Sequence, residues 1–217
     1  MSDCVHDAAG FVLAGGASSR MGTDKALVKL GGRPLVEHSL ATLREAGLEA
    51  AIAGARSDLS AFGPVVDDTE PGCGPLGGVC AALASTQAGW AVFLSVDLPL
   101  APAALLDCLL CRAETIHAAV ALCSVSGFPQ TFPAVVHRDA LPVLREDLMA
   151  GRRGCFAAFR AAADRLSRPL DAVAAESLGQ CGQVRDPRGL PAAFWFLNAN
   201  SPQELERAER LHSRRIA

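Results

Sequence analysis

The sequence predicts an α/β sandwich built around a mostly parallel sheet, and three observations carry that prediction. Short, near-continuous apolar runs alternate along the chain with amphipathic stretches of helical periodicity. The runs are apolar throughout, as strands covered by helices on both faces must be. Every polar motif of interest also falls just after a predicted strand, where ligands of such folds sit.

The elements follow in chain order. Ala8 to Ala14 (AAGFVLA) is a buried strand that runs into a polar, glycine-bearing loop. Leu35 to Ala46 has apolar residues at 35, 36, 40, 43 and 46 and is helical. Ala50–Ala53 and Pro64–Val66 are short strands, and Leu76 to Ala84 is an apolar helix. Trp90 to Val96 (WAVFLSV) is the strongest strand, ended by Asp97-Leu98-Pro99. Pro102 opens a helix through Arg112, a good use of proline near a helix start. Ala118–Cys123 and Pro133–Val136 are further strands, and Asp139 to Ala150 is a helix. Arg165 to Ala193 is the least periodic stretch and is expected to be irregular or peripheral. Phe194 to Leu197 is expected as a last strand. Ser201-Pro202-Gln203-Glu204 then starts a helix, with Ser as N-cap, Pro at the first position and Glu at the third.

Composition bounds the function. A chain of 217 residues that is 50% hydrophobic can bury a core as one domain without disulfide or metal staples. The balance of 20 Lys+Arg against 23 Asp+Glu argues against a broad nucleic-acid footprint. No apolar run reaches the roughly 18–20 residues of a membrane span. No charged-then-apolar leader occupies Met1–Gly10, so the expected location is cytoplasmic. The eight cysteines are expected to be buried free thiols rather than a disulfide framework. Cys108 and Cys111 have the CxxC spacing, but they lie within a predicted helix, not at the helix N-terminus that a redox pair requires.

Two loops concentrate the glycines. The first, Leu13-Ala-Gly-Gly-Ala-Ser-Ser-Arg-Met-Gly-Thr-Asp-Lys25, follows a strand and offers backbone N–H groups to an anion. Arg20 is suited to forked phosphate contact and Lys25 to a point-charge contact. Lys25 and Lys29 are the chain's two lysines, so a lysine kept here is mildly informative. A glycine-rich turn with solvated charges is the plain alternative. The second loop, Gly72-Cys-Gly-Pro-Leu-Gly77, matches GxGxxG with Asp97 twenty residues on. An acidic, non-tight approach and the missing donor at Pro75 argue against a dinucleotide site, and favour a helix entry packed close to the first loop.

Asp97, at a strand's carboxyl end, is a natural Mg²⁺ ligand, since Mg²⁺ takes one or two carboxylates plus substrate phosphates. Capping of the next helix is the competing role. Asp68, at the end of another short strand, either contacts ribose, assists the metal, or is a turn residue. Arg152-Arg153 either contact substrate phosphate or end a helix on the favourable side of its dipole. Asn198 and Asn200 are equally compatible with turn chemistry.

The sequence LAGGASSRMGTDK, then GPLGG, then the aspartate closing WAVFLSVD, then FLNANSP resembles the molybdenum cofactor guanylyltransferase family, from residue 11 to about 205. The resemblance implies a Rossmann-like three-layer sandwich within one nucleotidyltransferase domain, 1–217. A nucleotide-binding part would span about 8–115 and a pterin-substrate part about 116–217. It implies that Leu13, Ala14, Gly15 and Gly16 line the nucleotide, that Lys25 binds its phosphates, that Asp68 touches it, and that Asp97 holds Mg²⁺ and GTP. Asn198 and Asn200, with Arg152-Arg153 and the Pro129-Gln130 segment, fall where the family meets its pterin. Ile52-Ala-Gly-Ala-Arg56 lacks the asparagine that some members direct to the nucleotide.

The implied reaction is transfer of GMP from GTP to the phosphate of molybdopterin with loss of pyrophosphate. Lys25, Arg20 and Mg²⁺ on Asp97 would neutralise the developing charge. The alternatives are a relative using CTP or another small phosphorylated substrate, and a non-catalytic nucleotide-binding module. Expected partners are GTP and molybdopterin, with transient contacts to cofactor-synthesis or acceptor proteins. The chain is expected to be a monomer or weak oligomer that binds neither nucleic acid nor membrane.

Overall fold

In the computed structural model, residues 6–14, 24–68 and 72–213 are described. Among the described residues, nine strands form two sheets: β1 (Ala8–Leu13), β2 (Lys29–Leu30), β3 (Arg33–Pro34), β4 (Glu49–Ala53), β5 (Val65–Val66), β6 (Trp90–Ser95), β7 (Val120–Val125), β8 (Phe128–His137) and β9 (Leu170–Ala174). β2 and β3 make a separate small ribbon, and the main sheet has the order β5-β4-β1-β6-β8-β7-β9. The helices are α1 (Leu35–Glu45), α2 (Gly74–Ser85), α3 (Ala103–Thr115), α4 (Leu141–Met149), α5 (Cys155–Leu166), α6 (Ala175–Gln180) and α7 (Pro202–His212).

Alternation along the central strands produces the three layers. In β1 and β6, Phe11, Leu13, Ala91 and Phe93 face a core shared with α2, α4 and α5. Val12, Val92 and Leu94 face the opposite core, shared with α1 and α3. A strand buried on both faces must be apolar at every position, which is why these two stand out in the sequence. All pairs in the main sheet are parallel except those made by β8, which runs against both β6 and β7.

Four expectations need correction. Phe194–Leu197 is not a strand: Ala192–Phe194 is a 3-10 turn, and Trp195 and Phe196 are buried anchors of the segment after it. Trp195 Nε1 donates to the Leu190 carbonyl at 3.1 Å, and its ring lies over Gly179 of α6. Burial drives such an apolar run as strongly in a loop as in a ladder, and periodicity over four residues cannot separate the two. The stretch 165–193 is not wholly irregular, because β9 extends the sheet in parallel with β7, from Val120↔Leu170 to Ser124↔Ala174, and α6 follows it. Its edge position leaves β9 half-buried, so it lacks a continuous apolar signature. Helix α5 has no counterpart among the elements expected from sequence, although Cys155, Ala158, Phe159, Ala162 and Ala163 form its buried face at helical spacing.

The fourth correction concerns the cysteines. Cys73, Cys80, Cys123 and Cys155 are buried, but Cys108 and Cys111 are only half-buried on α3 and Cys181 is exposed. Burial pushes the Cys123 and Cys155 thiols up to about 12 and Cys80 up to about 11, which makes these three inert as nucleophiles near neutral pH.

Candidate active site

The site is built where β8 leaves the sheet. β6 pairs with β8 only as far as Phe93↔Ala134, so Leu94 and Ser95 have no partner on that side. The β7–β8 register also jumps, from Leu122↔Ala134 to Cys123↔Gln130, which leaves residues 131–133 outside the ladder. The parted strands open a cleft lined by Leu13, Ser95, Asp97, Gln130, Thr131, Phe132 and Asn198. It lies at the carboxyl ends of β1 and β6, where the loops of an open α/β sheet diverge.

Asp97 stands two residues beyond β6. It does not cap α3, whose N-cap is Pro102 with no side-chain hydrogen bond, so the competing sequence role is removed. Lys25 Nζ donates to Asp97 Oδ2 at 3.0 Å and also to Asn200 Oδ1. The lysine and aspartate side chains are 17% and 22% exposed, enough shielding to strengthen the pair without sealing it from a ligand. The closing motif docks directly here, since Ala199 N donates to the Asp97 carbonyl at 3.0 Å. Residues separated by 175 positions thus meet at one ammonium group.

The segment carrying Asn198 and Asn200 is held by the helix start anticipated at Ser201. Ser201 Oγ accepts from Glu204 N at 3.2 Å, while Glu204 Oε2 accepts from Asn200 N at 2.9 Å. This reciprocal cap fixes the entry to α7 and with it the position of Asn200.

Asp68 lies on the far side of β1, against the first turn of α2. A Cβ added at Gly77 or Gly78 would fall 3.6 Å from one of its carboxylate oxygens, and one at Gly78 would also meet Leu13 Cδ2 at 3.3 Å. Glycine therefore lets α2 approach β1 closely, as expected for the second loop. Asp68 Oδ1 is buried without a hydrogen-bond partner. Burial, then repulsion from Asp67, raises the Asp68 pKa above the ordinary carboxylate value. A buried acceptor without a donor marks a place a ligand N–H or O–H can complete.

One residue here carried no motif. Arg56 Nη1 donates to the Ala14 carbonyl at 2.9 Å, and Nη2 reaches Asp24 and, at 2.8 Å, Asp58. Ala14 and Asp24 bracket the first glycine loop, so this guanidinium ties its two ends together. The hydrogen bond that Arg56 donates to Asp58 holds the Arg56 pKa above its usual value. The sequence marked this stretch only by the absence, from Ile52 to Arg56, of the asparagine that the resemblance gives to some members.

The remaining expected residues divide. Gly15, Gly16 and Arg20 lie outside the described residues. Leu13 lines the cleft, and Ala14 follows it, buried. Arg153 Nη1 donates to the Gly72 carbonyl at 2.9 Å, at the entry to α2. Arg152 is instead committed to the buried Asp147, at 2.5 and 3.0 Å.

At the carboxyl ends of β1 and β6, a lysine–aspartate pair meets a carboxamide from a distant segment, an arrangement suited to a phosphate-bearing ligand in an α/β transferase. The chain belongs to the MobA-like NTP transferase family, whose domain pattern matches residues 10–173. It is 37% identical over 200 residues to a molybdenum cofactor guanylyltransferase of Xanthomonas euvesicatoria pv. vesicatoria, covering 91% of this chain and 92% of that one. It is 33% identical over 195 residues to the enzyme of that name from Serratia proteamaculans, covering 87% and 88%. The fold is shared with molybdopterin-guanine dinucleotide biosynthesis protein A of Archaeoglobus fulgidus, at TM-score 0.74, 22% identity and coverage of 94% and 98%.

Proposed function

We propose that this protein transfers GMP from GTP to the terminal phosphate of molybdopterin, with or without bound molybdenum, and releases pyrophosphate. The observation that carries the reading is the convergence of Lys25, Asp97 and Asn200 at the cleft, in a chain of this family. The nucleotide-binding part would be residues 8–115 and the pterin part 116–217, with the cleft between β6 and β8 as their meeting line.

The donor set suits Mg²⁺. Asp97 offers a carboxylate at the cleft, Asn200 an amide oxygen beside it, and both already serve a cation, the Lys25 ammonium. Hard oxygen donors with room for phosphates and water match that ion's preference. Asp97 would hold it, and the chemistry Mg²⁺ supplies when bound is neutralisation of charge on the phosphate oxygens.

The chain's own residues do the positioning. When triphosphate enters, Lys25 exchanges Asp97 for phosphate oxygens and balances negative charge there. Arg56 holds Ala14 and Asp24, the two residues that flank the glycine segment, on the same side of the site. Asp68 offers its unpaired oxygen to the nucleoside. Gln130, Thr131 and Asn198 present polar groups on the opposite wall, toward the incoming pterin phosphate. That phosphate is ionised at neutral pH, so no residue need remove a proton from it. In-line alignment of the two reactants then supplies most of the acceleration. The reading places the reaction in the cytoplasm, with the protein a monomer or weak oligomer. Among the described residues no helix is long and apolar enough to cross a membrane.

The test is incubation with molybdopterin, Mg²⁺ and GTP, CTP, ATP or UTP in turn, following pyrophosphate release and dinucleotide formation. GTP alone should support turnover, and Asp97→Asn should lower kcat by about 100-fold or more with an unchanged circular dichroism spectrum. Preference for CTP would move the protein to a cytidylyl-transferring relative. Nucleotide binding without product would make it a non-catalytic module.

A further inference from the structure

A second cluster lies away from the cleft. His6 precedes β1, whereas the cleft lies at that strand's carboxyl end, so the two are at opposite ends of the strand. The His6 ring is 8% exposed and packs against the carboxyl-terminal half of α3. Its Nε2 faces Asp107 Oδ1 at 3.2 Å and Cys111 Sγ at 3.9 Å. Asp107 and Cys111 are four residues apart on α3 and so share one face of the helix. Among the described residues this is the one group of three His, Cys, Asp or Glu side chains whose ligand atoms lie within 4.8 Å of one another.

We propose that His6, Asp107 and Cys111 bind a divalent transition metal of the zinc type, with solvent in the fourth position. Tetrahedral zinc has bonds of about 2.0–2.1 Å to nitrogen and oxygen and about 2.3 Å to sulfur, which puts N···O near 3.3 Å and N···S near 3.6 Å. The apo distances of 3.2 and 3.9 Å need only a few tenths of an ångström of adjustment.

The other ring nitrogen supplies an independent observation. His6 Nδ1 is 2.9 Å from Glu114 Oε2, so the Nδ1–H tautomer donates to that carboxylate and leaves the Nε2 lone pair facing Asp107 and Cys111. That carboxylate–imidazole arrangement orients metal-bound histidines. An imidazolium held between two carboxylates would account for Asp107 and Glu114 but gives no reason for a thiol at Nε2. Mixed nitrogen, oxygen and sulfur donors select zinc or cobalt over magnesium. The CxxC spacing is not the ligand pair, because Cys108 stands outside the group. The metal would clip the segment before β1 to α3, and its effect would appear in stability rather than in turnover.

The test is titration of the chelator-treated full chain with Co²⁺, followed by displacement with Zn²⁺. One equivalent of Co²⁺ should bind with tetrahedral visible bands and a sulfur-to-cobalt charge-transfer band, and Zn²⁺ should raise the melting temperature. Cys111→Ser should abolish the charge-transfer band and His6→Ala should abolish stoichiometric binding. Glu114→Gln should weaken binding by about 10–100-fold. Asp97→Asn should leave the cobalt spectrum unchanged, which separates this site from the nucleotide cleft. Asp107→Asn, a conservative change on a formed helix, should weaken binding in a protein whose folding is not in question. Absence of stoichiometric binding, binding without charge transfer, or a charge-transfer band that survives His6→Ala would each overturn the proposal.

Discussion

Replacing Arg56 tests whether the glycine loop is held from outside the loop itself. In Arg56→Met the aliphatic stem is kept, but the donors to the Ala14 carbonyl, Asp24 and Asp58 are lost. The Ala14 carbonyl sits in a residue only 3% exposed, and leaving such an acceptor without a donor costs about 1–3 kcal/mol. The Asp58 arm is on the surface and screened, so it adds little. For a domain of this size, each kcal/mol lowers the melting temperature by about 2–4 °C. The expected fall is therefore about 2–12 °C, from the product of those ranges. On the proposed phosphate-binding role of the loop, letting its ends part by about 1 Å should cost up to about 100-fold in rate. Thermal melts and steady-state pyrophosphate release read both effects. On the proposed role of that loop in phosphate binding, kcat should fall along with any rise in KM for GTP. Arg56→Lys should recover only part of each, since an ammonium cannot span Ala14 and Asp24 as a fork does. A variant with unchanged melting and unchanged kcat would refute the clamp, as would one that raises KM alone.

Two further expectations follow from the same geometry. Burial raises the Asp68 pKa above 3.8, so its folded-state penalty is absent below that value and grows as pH rises through the shifted pKa. Asp68→Asn should therefore melt like the wild type in acid and at a higher temperature near neutrality, while binding GTP roughly tenfold more weakly for want of a charged acceptor. Equal melting at all pH values, or unimpaired binding, would remove Asp68 from the site. Ser201→Ala removes the N-cap of α7 and should cost about 1 kcal/mol of stability. It should also raise KM for the pterin substrate more than for GTP, because the cap fixes the segment that carries Asn198 into the cleft; a purely thermal effect would assign Ser201 to the helix alone.

The legible part of this protein is the part in which physics acts locally. β1 and β6 are apolar at nearly every position because helices cover both faces, and that pattern is visible without coordinates. The α7 cap is visible because Ser201, Pro202 and Glu204 meet three requirements within four residues. Lys25 and Asp97 are identifiable because a loop and a strand end each announce their chemistry in one short segment. What escapes are features whose signal is diluted or shared. An edge strand such as β9 is half-buried and has little apolar pattern, and the Phe194–Leu197 run is buried but unpaired.

Sequence by itself determined the layer architecture, the glycine-bearing entry to α2 and the choice of Lys25 and Asp97 as candidates. Tertiary structure alone decided that Lys25, Asp97 and Asn200 share one hydrogen-bonded cluster, and that Arg56 closes the first loop. It also decided that β8 departs from β6 after Ala134 to open the cleft. The reason is physical. Periodicity and capping are settled by neighbours a few residues apart, whereas a guanidinium's choice among Ala14, Asp24 and Asp58 depends on which distant backbones the packed sheet brings within hydrogen-bonding reach.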